Sequence, residues 1–250
     1  MQGLDSDEAP SIAILSNSVE SLYNFCGDLI RDLQKAGWRV HVLAPDYDEV
    51  NQKRIEDFGG IPVTVPLDRN GLNPINDIRS LIVLYRLCRE IRPKIFFSLF
   101  MKPVIYGGLA AWAARVPRRV VMVAGLGYIF TDTGRKRSLK VQFLRFLVTR
   151  LYSLVFHRVD KVIFQNRDDL ALMLEAGAAP PDRTVLIDGS GVNLEHFKAK
   201  TKVPRAGGPL SFVWTGRLLR EKGVAELVEA SRFVRERGQH IEFVVVGGFY

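Results

Sequence analysis

The sequence predicts an α/β protein built on parallel sheets, with one complete domain followed by the beginning of a second. Two observations predict it. Short runs rich in β-branched and aromatic residues alternate with segments of helical period along the chain, the pattern of βαβ units. The 250 residues are 47% hydrophobic and 25% charged, which is ordinary for a packed globular protein and disfavours disorder, collagen-like repeats and a coiled coil.

Ser11 to Ser16 is the first strand, after a flexible start at 1–10. A helix from Glu20 to Ala36 carries Leu22, Phe25, Cys26, Leu29, Ile30 and Leu33 at helical spacing and stops at Gly37. Trp38 to Leu43 returns as a strand, and a short helix precedes Gly59-Gly60. A strand at Pro62 to Leu67 leads to a helix from Asn76 to Ile91, ended by Pro93. Then come a strand at Lys94 to Leu99, a small-residue helix at Tyr106 to Ala114, and a strand at Arg119 to Ala124. A basic helix, Leu139 to Phe156, is followed by a strand at Lys161 to Gln165, a helix at Asp168 to Ala176 and a strand at Thr184 to Asp188. That completes a domain over 11–197. Lys198 to Pro209 has no apolar periodicity and reads as a linker. Over 210–250, a strand at Leu210 to Trp214, a helix at Ala225 to Arg237 and a strand at Ile241 to Val246 make one βαβ unit. A unit that small has little core and leaves a strand edge, so the sequence reads as cut off inside a second domain.

The 35 bases exceed the 27 acids by 8, which points to anionic partners. Much of the surplus is local: Arg135, Lys136, Arg137, Lys140, Arg145, Arg150 and Arg158 fall in one stretch without an acid. The helix in this stretch is apolar nearly all round, with a polar stripe at Gln142, Thr149 and Ser153. It therefore reads as core, with Phe143, Phe146 and Tyr152 buried and the bases at its N-terminal end on the surface. No window has the roughly 18 uninterrupted apolar residues of a membrane span. Cys26 and Cys88 fall on apolar helix positions, no metal-ligand spacing is visible, and Met1 to Pro10 has no signal-peptide character; a cytoplasmic location is expected.

The loop Thr215-Gly216-Arg217-Leu218-Leu219-Arg220-Glu221-Lys222-Gly223 lies between a strand's carboxyl end and a helix, the edge where open α/β sheets bind ligands. Arg217 and Lys222 can converge on a diphosphate, with Gly216 allowing close backbone approach. A solvated basic turn is the other reading of these residues. With this loop, three further segments resemble the family 4 glycosyltransferases: Phe164-Gln165-Asn166-Arg167-Asp168-Asp169-Leu170, Gly189-Ser190-Gly191-Val192-Asn193 through Phe197, and Gly125-Leu126-Gly127-Tyr128-Ile129-Phe130-Thr131. The resemblance runs from about Ser11 to Gly247 and is closest to the branch that extends polyprenyl-diphosphate-linked glycans.

That resemblance implies a GT-B fold of two Rossmann-like domains and a retaining transfer of sugar from a nucleotide-diphosphate donor to an acceptor. It implies that Arg217 and Lys222 neutralise the donor diphosphate, beside Gly216; fixed cations there need no metal, and no other cofactor is expected. The family's paired glutamates lie further downstream; Glu221 and Glu229 share their spacing but not their place, so residues 1–250 are expected to lack a complete active site. On the acceptor side, Asn17, Ser18 and Asn24 can hydrogen-bond acceptor or phosphate, or Asn17 and Ser18 can simply cap the first helix. Gly125, Gly127 and Tyr128 form either an acceptor-site loop, the preferred reading, whose glycine N–H groups can face an anion, or a purely structural turn, with Thr131, Asp132 and Thr133 able to cap the basic helix. Lys102 is a weaker acceptor candidate, since a lone loop lysine is commonly solvated.

Three function classes follow. The first is a glycosyltransferase acting on a lipid-linked acceptor, with peripheral contact to an anionic membrane through the basic segment Arg135 to Lys140. The second is a non-catalytic acceptor-binding fragment that needs a separate donor domain. A nucleic-acid binder is suggested by charge alone, without a supporting motif, and is set aside. The first turn also lacks a G-x-G-x-x-G, against a nicotinamide dehydrogenase.

Overall fold

A computed structural model describes residues 9–68, 73–127, 129–130, 138–195, 197–199, 210–216, 218 and 220–247. The described residues divide into two compact units, the first reaching Phe197 and the second beginning at Lys198.

The first unit is a seven-stranded parallel sheet of β1 (Ser11–Leu15), β2 (Arg39–Ala44), β3 (Gly60–Thr64), β4 (Ile95–Leu99), β5 (Arg118–Val123), β6 (Lys161–Phe164) and β7 (Thr184–Leu186). Their order across the sheet is β3-β2-β1-β4-β5-β6-β7, so the winding reverses between β1 and β4. Ile12 sits opposite Val40 on one side and Ile95 on the other. All five residues of β1 are buried, and its alternation serves two faces. Ile12 and Ile14 pack with Leu22, Cys26 and Ile30 of α1 (Val19–Lys35). Ala13 and Leu15 pack with Leu84 and Cys88 of α3 (Pro74–Ile91) and with Ala110 and Ala111 of α4 (Gly108–Ala113). Both cysteines are thus apolar filler, and burial pushes each thiol up to about 12.

Element boundaries differ from the sequence expectation where tertiary contacts override local pattern. Gly60, expected in a turn, is the first residue of β3 because it pairs with Val40. The helix expected from Asn76 starts earlier, at Pro74, where Asn73 accepts the Ile75 N–H at 3.0 Å. A π-helical turn over Pro103–Gly107 precedes α4, so the chain turns sooner after β4 than the small-residue pattern suggests. The short helix before Gly59 is α2 (Glu49–Asp57).

The larger correction concerns α5 (Leu139–Phe156). Val148, Tyr152, Val155 and Phe156 are buried against Val121, Val162 and Phe164, but Phe143 and Phe146, expected in the core, are exposed. A helix laid on a sheet buries only the stripe that faces the strands. An apolar residue on its far side is buried only if a further layer covers it. The N-cap of α5 is Ser138, whose hydroxyl accepts the Val141 N–H; Thr131, Asp132 and Thr133 lie outside the described residues. α6 (Arg167–Glu175) then leads to β7.

The second unit pairs β8 (Leu210–Thr215) with β9 (Ile241–Val246) in parallel, joined through α7 (Val224–Glu236). Phe212 stacks on Phe243 at 5.7 Å, while Val213, Val245 and Val246 are exposed.

Candidate functional site

In an open, parallel α/β sheet, backbone N–H groups and helix starts converge at the carboxyl edge, and a crevice opens where the winding reverses. Here that place is the pair of turns after β1 and β4. The β4 turn holds Phe100 at φ 72°, a left-handed conformation that a bulky aromatic residue rarely adopts. Its backbone is engaged on both sides: the Phe100 N–H donates to Met122 O at 3.3 Å and its carbonyl accepts the Val104 N–H at 2.9 Å.

After β1, Ser18 occupies the N-cap position of α1 but its side chain caps nothing. The Val19 N–H donates instead to Asp46 Oδ1 at 2.8 Å, so an acid from the turn after β2 supplies the cap across the sheet edge. Capping by Ser18 is thereby corrected, and Asp46 is the residue that sequence reasoning missed. Its one signal was an acid two residues past the end of the neighbouring strand. Asp46→Ala is expected to lower the stability of the first unit by about 1 kcal/mol. The check is a reduced urea midpoint at an unchanged slope.

Lys102 is not a solvated lysine. Its Nζ lies 2.9 Å from Asp77 Oδ1 in the first turn of α3, and both side chains are largely buried. Asp77 also hydrogen-bonds Tyr106, whose phenol is pushed up by burial first and then by that carboxylate. The lysine's charge at this edge is therefore balanced locally.

Gly125 and Gly127 have φ of 123° and 83°, conformations that favour glycine, and between them Leu126 turns into the core. An anion does face this loop, and it is the chain's own: the Leu126 N–H donates to Asp169 Oδ2 at 3.2 Å. Asp169 is held in turn by Asn166, whose Nδ2 reaches Oδ2 at 2.8 Å and whose Oδ1 accepts the Asp169 N–H at 2.7 Å. Gln165 Nε2 then donates to Ser190 Oγ at 2.6 Å. Hydrogen bonds therefore join the segments around Gly125, Asn166 and Ser190 that sequence reading singled out separately. Tyr128 lies outside the described residues.

Asn24 is exposed on α1 and does not join Asn17 and Ser18. It lines a cavity of about 740 Å³ between α1, the end of α2 and the segment after Gly189. Asn193 closes this cavity by donating to both oxygens of Asp28, at 3.0 and 2.7 Å, and Arg31 bonds the same carboxylate at 2.7 Å. The guanidiniums of Arg31 and Arg54 lie over the rings of Phe58 and Tyr23, each at 4.9 Å. Cationic and aromatic surface thus lines one side of the space.

In the second unit, Gly216 leaves β8 with its N–H donated to Val246 O at 3.0 Å. A Cβ on Gly247 would fall 1.8 Å from Gly216 O, so only glycine lets the two turns meet there. Trp214 Nε1 donates to Lys222 O at 3.2 Å, which ties the basic turn back onto β8 and leaves the Lys222 side chain exposed. Arg217 lies outside the described residues. Among the described residues no group of three or more His, Cys, Asp or Glu side chains is placed to hold a metal ion, and no helix is long and apolar enough to cross a membrane.

The family described as glycosyl transferase 4-like domain matches residues 24–189. The chain belongs to that family. It is 28% identical over 247 residues to the N,N'-diacetylbacillosaminyl-diphospho-undecaprenol alpha-1,3-N-acetylgalactosaminyltransferase of Campylobacter jejuni, covering 95% of this chain and 63% of the relative. It is 25% identical over 226 residues to the capsular polysaccharide biosynthesis glycosyltransferase CapM of Staphylococcus aureus, covering 87% and 56%. The chain therefore spans less than two thirds of these relatives. A solved glycosyltransferase of Rickettsia africae shares the GT-B fold at a TM-score of 0.59 and 14% identity, over 96% of this chain and 61% of that one. So does the UDP-GlcNAc 2-epimerase of Neisseria meningitidis bound to UDP-GlcNAc, at 0.58 and 13%, over 94% and 64%. The fold alone does not choose between sugar transfer and epimerisation.

Proposed function

We propose that this protein is a retaining glycosyltransferase that moves a sugar from a nucleotide-diphosphate donor to a lipid-linked glycan acceptor in surface polysaccharide or glycoconjugate biosynthesis. The observation that carries this reading is the family match across the first unit, with both relatives named as glycosyltransferases. The first of them acts on a diphospho-undecaprenol acceptor, as its name states.

In this reading residues 11–197 form the acceptor side, 198–209 the linker and 210–250 part of the donor side. Gly216 lets the donor diphosphate approach the backbone, and Arg217 and Lys222 neutralise it. Charge builds on the leaving phosphate as its bond to the sugar breaks, so fixed cations stabilise the transition state more than the bound donor. The acceptor hydroxyl bonds the sugar carbon on the face the phosphate leaves, and its proton passes to the departing phosphate oxygen. No protein nucleophile and no metal enter this step. Asn17, Ser18, Asn24, Lys102, Gly125, Gly127 and Tyr128 are the proposed acceptor-side residues, with Lys102 acting through its pair with Asp77. The protein works at the cytoplasmic face of an anionic membrane, in peripheral contact with it. Residues 1–250 alone are expected to be inactive, because the family's paired downstream glutamates have no counterpart among them.

The test is transfer of radiolabelled sugar from a panel of nucleotide sugars to detergent-solubilised lipid acceptors, run on residues 1–250 and on the protein at its relatives' length. Transfer by the longer protein alone is the expected result. Turnover by residues 1–250 would refute the incomplete site, and silence from both across the panel would overturn the reading.

A further inference from the structure

We infer that the outward face of α5 is the surface that docks on an anionic lipid bilayer, an inference that rests on the lipid-linked acceptor proposed above. At about 100° per residue, Leu139, Phe143, Phe146, Leu147, Arg150 and Leu154 fall within one stripe of the helix. In the structure this stripe is the uncovered one: Leu139 is 83% exposed, Phe143 66%, Phe146 58%, Leu147 42% and Leu154 40%. The opposite stripe, with Val148, Tyr152, Val155 and Phe156, is in the core. Five large apolar side chains along one stripe, with Arg150 among them, exceed the scattered exposed apolar residues that need no explanation.

The charges around the stripe choose its occupant. Between Ser138 and Val159 the chain has no acid; Lys140 falls at the edge of the stripe, Arg150 within it and Arg158 just past the end of the helix, while Arg145 falls on the other side, over the Phe130 ring at 5.3 Å. Arg150 stands within the stripe, its guanidinium 5.3 Å from the Phe146 ring centroid, so its stem covers apolar surface while its charged head can extend to the headgroups. At the far end Arg158 lies over the half-exposed ring of Trp112 at 4.9 Å. Phenylalanine and leucine along a line, with Lys140 at its edge, Arg150 within it and an arginine over an aromatic ring at its end, suit the headgroup and acyl boundary of an anionic leaflet. Because β5 and β6 are parallel and α5 connects them, α5 starts from the carboxyl edge of the sheet. Docking by this face therefore keeps the start of α5 and the acceptor-side turns toward one end of the unit. The docking element is thus the apolar face of the helix together with its cations, rather than the basic segment Arg135 to Lys140 alone.

The experiment is co-sedimentation of the full chain with phosphatidylcholine vesicles and with vesicles containing phosphatidylglycerol. It is run on the wild type, the pair Phe143→Ser and Phe146→Ser, and the pair Lys140→Gln and Arg150→Gln, with circular dichroism to verify folding. The wild type is expected to bind the anionic vesicles, and the Phe pair to bind them at least about tenfold more weakly, since two buried aromatic side chains are lost. The Lys140 and Arg150 pair is expected to remove most of the preference for anionic over neutral vesicles. Absence of wild-type binding, or undiminished binding by the folded Phe pair, would overturn the inference. So would a concentration-dependent dimer that the Phe pair abolishes, which would make a second copy the occupant. Transfer to detergent-solubilised acceptor needs no bilayer, so the Phe pair introduced into the protein at its relatives' length is expected to retain it; a vesicle result therefore fails or holds separately from the glycosyltransferase reading.

Discussion

Arg217→Ala is expected to slow sugar transfer by about 10²–10³-fold, the cost of removing one fixed donor from a site where charge accumulates. Lys222→Ala is expected to act in the same direction. The loss should appear in kcat as well as kcat/KM, because the developing charge on the leaving phosphate exceeds the charge already on the bound donor. Arg217→Lys should recover part of the rate, since an ammonium restores charge but not the two-pronged geometry of a guanidinium. Neither substitution should move the urea midpoint of the first unit, because both positions follow Phe197 in the sequence, where that unit ends. The measurement is transfer by the protein at its relatives' length under saturating donor. Wild-type turnover in both alanine variants would refute the assignment of Arg217 and Lys222 to the diphosphate. A raised donor KM with unchanged kcat would instead mean that the residues bind donor without favouring its transition state.

The alternation of strands and helices was legible in the sequence because each strand in a parallel sheet is buried on both faces, so runs such as Ile12 to Leu15 are continuously apolar. The helices announced themselves by period and by their stops. What the sequence could not express is which neighbour answers a local need. The first turn of α1 is capped by Asp46 from another connection, and Ser18, which has the right chemistry and position, is not used. Lys102 looked solvated because Asp77 is distant in the chain. The Gly125 loop looked ready for a foreign anion because Asp169 is further still, although that acid sits in a segment the sequence already singled out. The three motif segments were visible one by one, while the hydrogen bonds that join them are a property of the fold. The apolar character of α5 was visible too, but apolarity specifies what a face avoids and not what covers it.

α5 offers one substitution with opposite consequences on its two faces. Phe156 is fully buried, its ring 5.1 Å from that of Tyr152 and 5.9 Å, nearly edge-on, from that of Phe164. Phe156→Ala removes the middle of this aromatic stack, where β6 and α5 meet, and the helix and strand cannot close the gap without breaking their other contacts. A loss of about 3–5 kcal/mol is expected, made of lost burial and a residual cavity. Against a total stability of about 5–15 kcal/mol, that leaves the first unit marginal. Phe146→Ala makes the same chemical change on the exposed side and is expected to alter stability by less than about 0.5 kcal/mol. Urea unfolding of the two variants beside the wild type separates the faces. Similar losses in both would mean that Phe146 is covered by packing and is unavailable to a bilayer; a large loss at Phe156 alone would leave the outer aromatic residues of α5 without a role in stability, so that whatever retains them acts from outside the fold.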